Sequence, residues 1–262
     1  MALTIRNVVD LILKDIPGAP FDDTVDTFKS GDPDQEVTGI VTTFLASQDV
    51  IRRAAELGAN FIIAHEPTFY NHRDQVDWLE EDPVYRAKRA LLDKHAIVVW
   101  RFHDYWHSAE PDGIMAGVVA RLGWESYLEK ELPIFNIPPM TVGQVVQVFK
   151  DRLGAKMARV VGDPEMECRR VALFVGMAGG TWQISFLSHQ DVDMMVAGEI
   201  DEWETSEYVR DAVIQGRKLA LAVIGHVHSE EAGMEWLVGW LQQRFPTIPV
   251  THVPVGDAFR YL

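Results

Sequence analysis

The chain is 262 residues long, room for one or two domains. With 47% hydrophobic and 24% charged residues and a mean hydropathy of −0.04, it is composed like a packed globule, which excludes disordered, collagen-like and disulfide-framework architectures. Its 24 basic and 39 acidic residues sum to −15, a charge that repels phosphate backbones and anionic lipid heads and argues against nucleic acid or a membrane as partner.

Residues 1–18 (MALTIRNVVDLILKDIPG) read as an amphipathic helix, without the basic start and long apolar core of a signal peptide. Residues 37–44, 60–64 and 96–102 are short, Val/Ile-rich runs that read as buried strands. Residues 47–57 and 83–94 read as the helices between them, with Gly58 at the stop of the first. The turn-rich stretch 124–139 (WESYLEKELPIFNIPP) reads as a boundary between a first lobe, 1–124, and a second, 125–262. A helix over 141–153 follows, with Thr141 near its start, and then strands at 170–176, 192–197, 219–225 and 249–253. Strand–helix–strand alternation implies α/β layering around a largely parallel sheet, and residues 226–262 are expected to rejoin the first lobe. No apolar run approaches the ~20 residues of a membrane span. The single cysteine, Cys168, excludes an intrachain disulfide, so a cytoplasmic location is the expectation.

The strand ends repeat. FIIAHE (61–66) aligns with MMVAGE (194–199) at an offset of 194 − 61 = 133. WRFHDYWH (100–107) aligns with VIGHVHSE (223–230) at 223 − 100 = 123, setting His103 on His226 and His107 on Glu230. Two similar α/β lobes follow from this.

Carboxyl ends of parallel strands are where α/β proteins bind ligands, and His65, His103, His107 and His226 sit there or just beyond. Imidazole and carboxylate together suit borderline divalent cations such as zinc, manganese or iron, and several carboxylates in one site favour a metal pair. His65-Glu66 could equally be a loop pair in solvent; it is not HExxH, since Pro67 opposes a helix there. His226 and Glu230 share a face if a helix begins near Gly225, leaving His228 and Glu231 to point elsewhere. His103 and His107 have the same spacing beside two aromatics and could be rim residues. Glu199, at the repeat position of Glu66, competes with a plain helix-terminal carboxylate. Gly176–Gly180 reads as a strand–helix turn, and neither a P-loop nor GxSxG occurs.

In order along the chain, GANFIIAHEPTFY, RFHDYWH, RRVALFVGMAGG, VAGEI and VIGHVHSEE resemble the motifs of the Nif-three-like dinuclear-metal family, the GTP cyclohydrolase type 2 homologues. The resemblance runs from about residue 10 onward and lacks the extra central domain of longer members. It implies two α/β lobes with a two-metal site in the cleft between them. It also implies a homo-oligomer, commonly a hexamer. By position the ligands are His65, Glu66, His107, His226 and Glu230, the last bridging. Two departures offset one another: Glu66 stands for the second His of a His-His pair, and His107 for the Asp of H-x-x-x-D. Three imidazoles and two carboxylates are kept.

The resulting expectation is a metal-dependent hydrolase, holding two divalent ions and acting on a small molecule such as a nucleotide. His103 and Glu199 are its expected proton carriers. The alternative is a metal-binding or interaction module without turnover. A metallo-β-lactamase-like reading of HVHSEE ranks last, because only 32 residues follow Glu230.

Overall fold

The computed structural model describes residues 3–129 and 132–261. Met1 and Ala2 of the expected N-terminal helix, Lys130 and Glu131 of the expected boundary stretch, and Leu262 lie outside them. The chain forms two compact units, Met1–Gly117 with Gly233–Asp257, and Val118–Ala232 with Ala258–Leu262. Its elements in order are α1 (Ile5–Leu13), β1 (Phe28–Ser30), β2 (Ile40–Thr43), α2 (Gln48–Glu56), β3 (Phe61–Ala64), α3 (Pro83–Lys94), β4 (Val98–Arg101), α4 (Asp104–His107) and α5 (Gly113–Leu122). Then follow β5 (Ile134–Thr141), α6 (Val142–Leu153), β6 (Arg159–Val161), β7 (Glu167–Phe174), α7 (Gly180–His189), β8 (Met194–Ala197), α8 (Glu207–Ile214), β9 (Ala220–Val223), α9 (His226–Arg244) and β10 (Val250–His252).

The first unit holds a five-stranded sheet in the order β10-β2-β3-β4-β1, parallel except for β1. The second holds β5-β7-β8-β9-β6, in which β7, β8 and β9 are parallel and both edges antiparallel. Each unit thus has three consecutive parallel strands, with the middle one (β3 or β8) at the centre and an antiparallel strand beyond the third. That is the repeated α/β architecture that the strand ends predict.

The parallel strands read as unbroken apolar runs because both faces are covered. Every residue of β2, β3, β4, β8 and β9 is buried. Val41, Ile51, Ile62, Leu92 and Val99 pack together in the first unit, and Phe186, Leu187, Met195, Val209 and Leu221 in the second. Helix starts follow local chemistry. Ser47 caps α2 through Val50 N, Asp82 caps α3 ahead of Pro83, and Thr141 closes a capping box with Gln144 on α6.

The stretch 124–139, expected to be irregular, contains the first residues of β5. Pro138 and Pro139 are tolerated there because β5 is an edge strand and its register with β7 shifts between Asn136 and Met140. The antiparallel edge strands β1 and β6, three residues each, also escape the sequence pattern. Among the described residues no helix is long and apolar enough to cross a membrane.

Candidate metal centre

In the first unit the central strand β3 delivers His65 and Glu66 at its carboxyl end. Backbone bonds from His65 N to Phe44 O (3.0 Å) and from Glu66 N to Phe44 O (2.7 Å) hold the pair against the end of β2. The neighbouring strand β4 runs out at Arg101, and Phe102 N returns to Ala64 O at 2.8 Å. The chain then turns into α4, one turn of helix carrying His103 at its mouth and His107 at its end. Three imidazoles meet here. Ring centroids are 4.7 Å apart for His65–His103, 5.0 Å for His65–His107 and 5.0 Å for His103–His107. One nitrogen from each ring lies within 4.8 Å of the other two.

Each ring is oriented from behind. His65 Nδ1 donates to Phe102 O at 3.2 Å, His103 Nδ1 to Asp104 Oδ1 at 2.8 Å, and His107 Nδ1 to Asp112 Oδ2 at 2.9 Å. Carbonyl and carboxylate oxygens only accept, so all three rings carry their proton on Nδ1, and Nε2 is the atom that would face a cation. Burial is the main force pushing the His65 pKa well below the ordinary histidine value, with His107 and His103 adding to it. Burial likewise lowers that of His103. The neutral imidazole, the form that ligates, is favoured in both.

Three acidic residues build this arrangement. Asp26 is buried and accepts from His103 N and Tyr105 N, both at 2.8 Å, pinning the start of α4. Burial pushes its pKa up to about 6. Asp104 accepts from His103, Thr24 Oγ1 (2.8 Å) and Val25 N (3.1 Å); burial, the largest influence, raises its pKa, but these bonds together hold it below the usual range. Asp112 caps α5 through Ile114 N and Met115 N with one oxygen and holds His107 with the other. Arg101, fully buried, donates to His65 O at 3.0 Å and to His72 O, and reaches Glu66 Oε2 at 3.4 Å. Glu66 Oε1 lies 3.8 Å from His103 Nε2. The Glu66 carboxylate is therefore also the counter-charge of a buried guanidinium.

The second unit repeats the design with different residues. Its central strand β8 delivers Gly198 and Glu199, and β9 leads through Gly225 into α9, which begins at His226. His226 Nδ1 donates to Glu199 Oε2 at 2.9 Å, and His226 Nε2 lies 3.1 Å from Glu230 Oε2 one turn along. Glu230 is almost fully buried. Its place depends on Gly176 (φ +58°), where a Cβ would sit 2.1 Å from Glu230 Oε1. Ser229 Oγ accepts from Gly176 N at 2.9 Å, and a Cβ at Gly198 would meet that same oxygen at 2.2 Å. A cavity of about 380 Å³ opens beside this cluster, lined by Arg159, Glu199, His226, Phe259 and Tyr261 among others.

Of the residues singled out in the sequence, His65, Glu66, His103 and His107 are thus gathered in the first unit, and Glu199, His226 and Glu230 in the second. The donor set fits a borderline divalent cation: imidazoles with their Nδ1 protons parked on oxygen acceptors, beside carboxylates of which Glu230 is buried. Sequence reasoning missed Asp26, Arg101, Asp112, Gly176 and Ser229. Only Asp112 had a local signal, as an aspartate before the helix of residues 113–122. Around Gly176 the sequence shows only a turn, and its close approach to Glu230 is a tertiary fact.

A family model described as Duf34/NIF3 (NGG1p interacting factor 3) matches residues 19–256. Over 211 residues, 76% of each chain, the protein is 25% identical to a "GTP cyclohydrolase 1 type 2 homolog" of Clostridium perfringens. It is 26% identical to a protein of the same name from Haemophilus influenzae, over 80% of this chain and 82% of that one. A Bacillus cereus protein related to NIF3 superposes with a TM-score of 0.82 at 15% identity, and a hypothetical protein of Staphylococcus aureus with 0.80 at 19%, each over the whole of both chains. At those identities the two structures share the fold.

Proposed function

The chain belongs to the Duf34/NIF3 family, and from that premise we propose that it is a divalent-metal protein that hydrolyses a small substrate, a nucleotide or related heterocycle. The observation that carries the metal reading is the set of imidazoles in the first unit, each anchored at Nδ1 by an oxygen that can only accept. The ligands proposed are His65, Glu66 and His107 from the first unit and His226 and Glu230 from the second, for two ions. The names of the curated relatives supply the substrate class.

A divalent ion held by these residues would supply Lewis-acid chemistry, polarising the electrophile and acidifying water toward pKa ~7. The chain's own residues do the rest. Glu199 holds His226 in one tautomer and lines the cavity beside it, so it can exchange a proton with a substrate there. The cavity's size suits a small molecule; pockets for such ligands run from roughly 300 to 1,000 Å³. Arg159 offers a cation to an anionic group, and Phe259 and Tyr261 offer flat apolar faces. A homo-oligomer, a hexamer by resemblance, belongs to the same proposal and is read by light scattering.

The test is to strip the protein with chelator, reload it with zinc, manganese or iron, count bound metal, and assay GTP and a panel of phosphoesters. Metal-dependent turnover of any of them supports the reading. A protein with its full metal complement and no turnover is a metal-binding module, and the hydrolase reading fails.

A further inference from the structure

His103 is expected from its repeat position to be a proton carrier, yet it is built like a ligand. Its ring completes a triangle with His65 and His107 whose three sides are nearly equal. Its Nδ1 is held at 2.8 Å by Asp104, as firmly as Asp112 holds His107. The carboxylate that grips Nδ1 is itself held by Thr24 and Val25, which fixes the tautomer and leaves Nε2 as the ligating atom. The backbone is equally fixed, since His103 N is bonded to the buried Asp26. Such orientation from behind is the usual signature of a metal-bound imidazole.

We propose that His103 is a metal ligand, and that His65, His103 and His107 form a three-imidazole site for a zinc-class cation within the first unit. Three neutral nitrogens select zinc or cobalt over magnesium and calcium, which take oxygen ligands. Three protein ligands also leave a coordination position open, the pattern of catalytic zinc sites. Histidine at position 107, where the family pattern has aspartate, converts a mixed set into an all-nitrogen one. Glu66 then serves Arg101 as counter-charge, 3.4 Å away, and stands beside the imidazoles as a carboxylate. Glu199 orients His226 in the same way as Asp104 orients His103 and Asp112 orients His107.

This rests on the metal-binding reading above, and the experiment separates the two. The full chain is stripped and titrated with Co²⁺ and Zn²⁺ against a chromophoric chelator, for wild type, His103→Ala and His103→Cys, with circular dichroism confirming the fold. Losing the groups that orient a ligand typically weakens binding 10–100-fold, so losing the ligand in His103→Ala should weaken the tightest site by at least about 100-fold. His103→Cys with Co²⁺ should show a near-ultraviolet sulfur-to-cobalt charge-transfer band absent from wild type, whose one cysteine, Cys168, is buried in the second unit. The cysteine variant decides if His103→Ala misfolds. Wild type that binds neither ion ends the metal reading itself. Wild type that binds, with His103→Ala within threefold and no charge-transfer band in His103→Cys, overturns this proposal alone. Displacement of Co²⁺ by millimolar Mg²⁺ overturns the choice of cation.

Discussion

Asp26 sets a pH dependence that can be worked through from the structure. Its carboxylate is 6% exposed and accepts two backbone N–H groups at the start of α4, and no cation is among the groups that shift its pKa. Burial outweighs those bonds and raises its pKa from 3.8 to about 6. The folded state therefore holds the proton more tightly than the unfolded chain. Stability contributed by this group grows as pH falls through 6 and saturates below 3.8; above 6 the charged form is penalised. At 1.36 kcal/mol per pKa unit the full span is about 3 kcal/mol, of which linkage between pH 8 and pH 5 covers about half. Asp26→Asn removes the titration and turns an amide N–H₂ toward one backbone N–H, itself a pH-independent loss of about 1–3 kcal/mol. Urea unfolding of both proteins at pH 8, 7, 6 and 5 isolates the titrating part as the change in their stability difference. The variant should lose about 1–2 kcal/mol more, relative to wild type, at pH 5 than at pH 8. A difference that stays flat within 0.3 kcal/mol, a tolerance of roughly the usual additivity error, refutes the assignment.

Three further outcomes are expected. Gly176→Ala forces a Cβ onto the Glu230 carboxylate at a left-handed backbone position, so chemical denaturation should show a loss of about 2–4 kcal/mol and metal titration a weaker site. Asp112→Asn keeps one oxygen for capping α5 or for His107 but not both, and should weaken metal binding about 10–100-fold with helix content nearly unchanged in circular dichroism. Lys88 is buried, donates to Thr68 O at 2.5 Å, and has its pKa lowered by burial from 10.5 to about 8. The unfolded chain binds its proton more tightly, so wild type should gain about 2 kcal/mol relative to Lys88→Met between pH 8 and pH 10, measured by urea unfolding. A constant difference across that range would count against a buried ammonium.

Much of the fold is legible in the residues because its signals are local. Apolar runs such as FIIA and MMVA, too short for helices and unbroken by polar residues, mark strands covered on both faces. Ser47, Asp82 and Thr141 mark helix starts through hydrogen bonds to the next turn. The histidines at the strand ends were visible for the same reason, as was the repeat that pairs β3 with β8. The antiparallel edges β1, β5 and β6 were not, because FKS and RVV carry no apolar run of their own and β5 holds two prolines; β10, a parallel edge of the same three-residue length, was legible.

The sequence by itself determined which side chains could coordinate and on which strands they stand. Only the tertiary structure decided what each one does. His103 and His107 have the same spacing as His226 and Glu230, but Asp104 and Asp112 grip the first pair, while Glu199 grips His226 and Gly176 makes room for Glu230. An imidazole's role is set by the partner of its second nitrogen, and that partner is supplied by whichever loop folds behind it, anywhere from 1 residue away for His103 to 37 for His65. No periodicity records such a meeting.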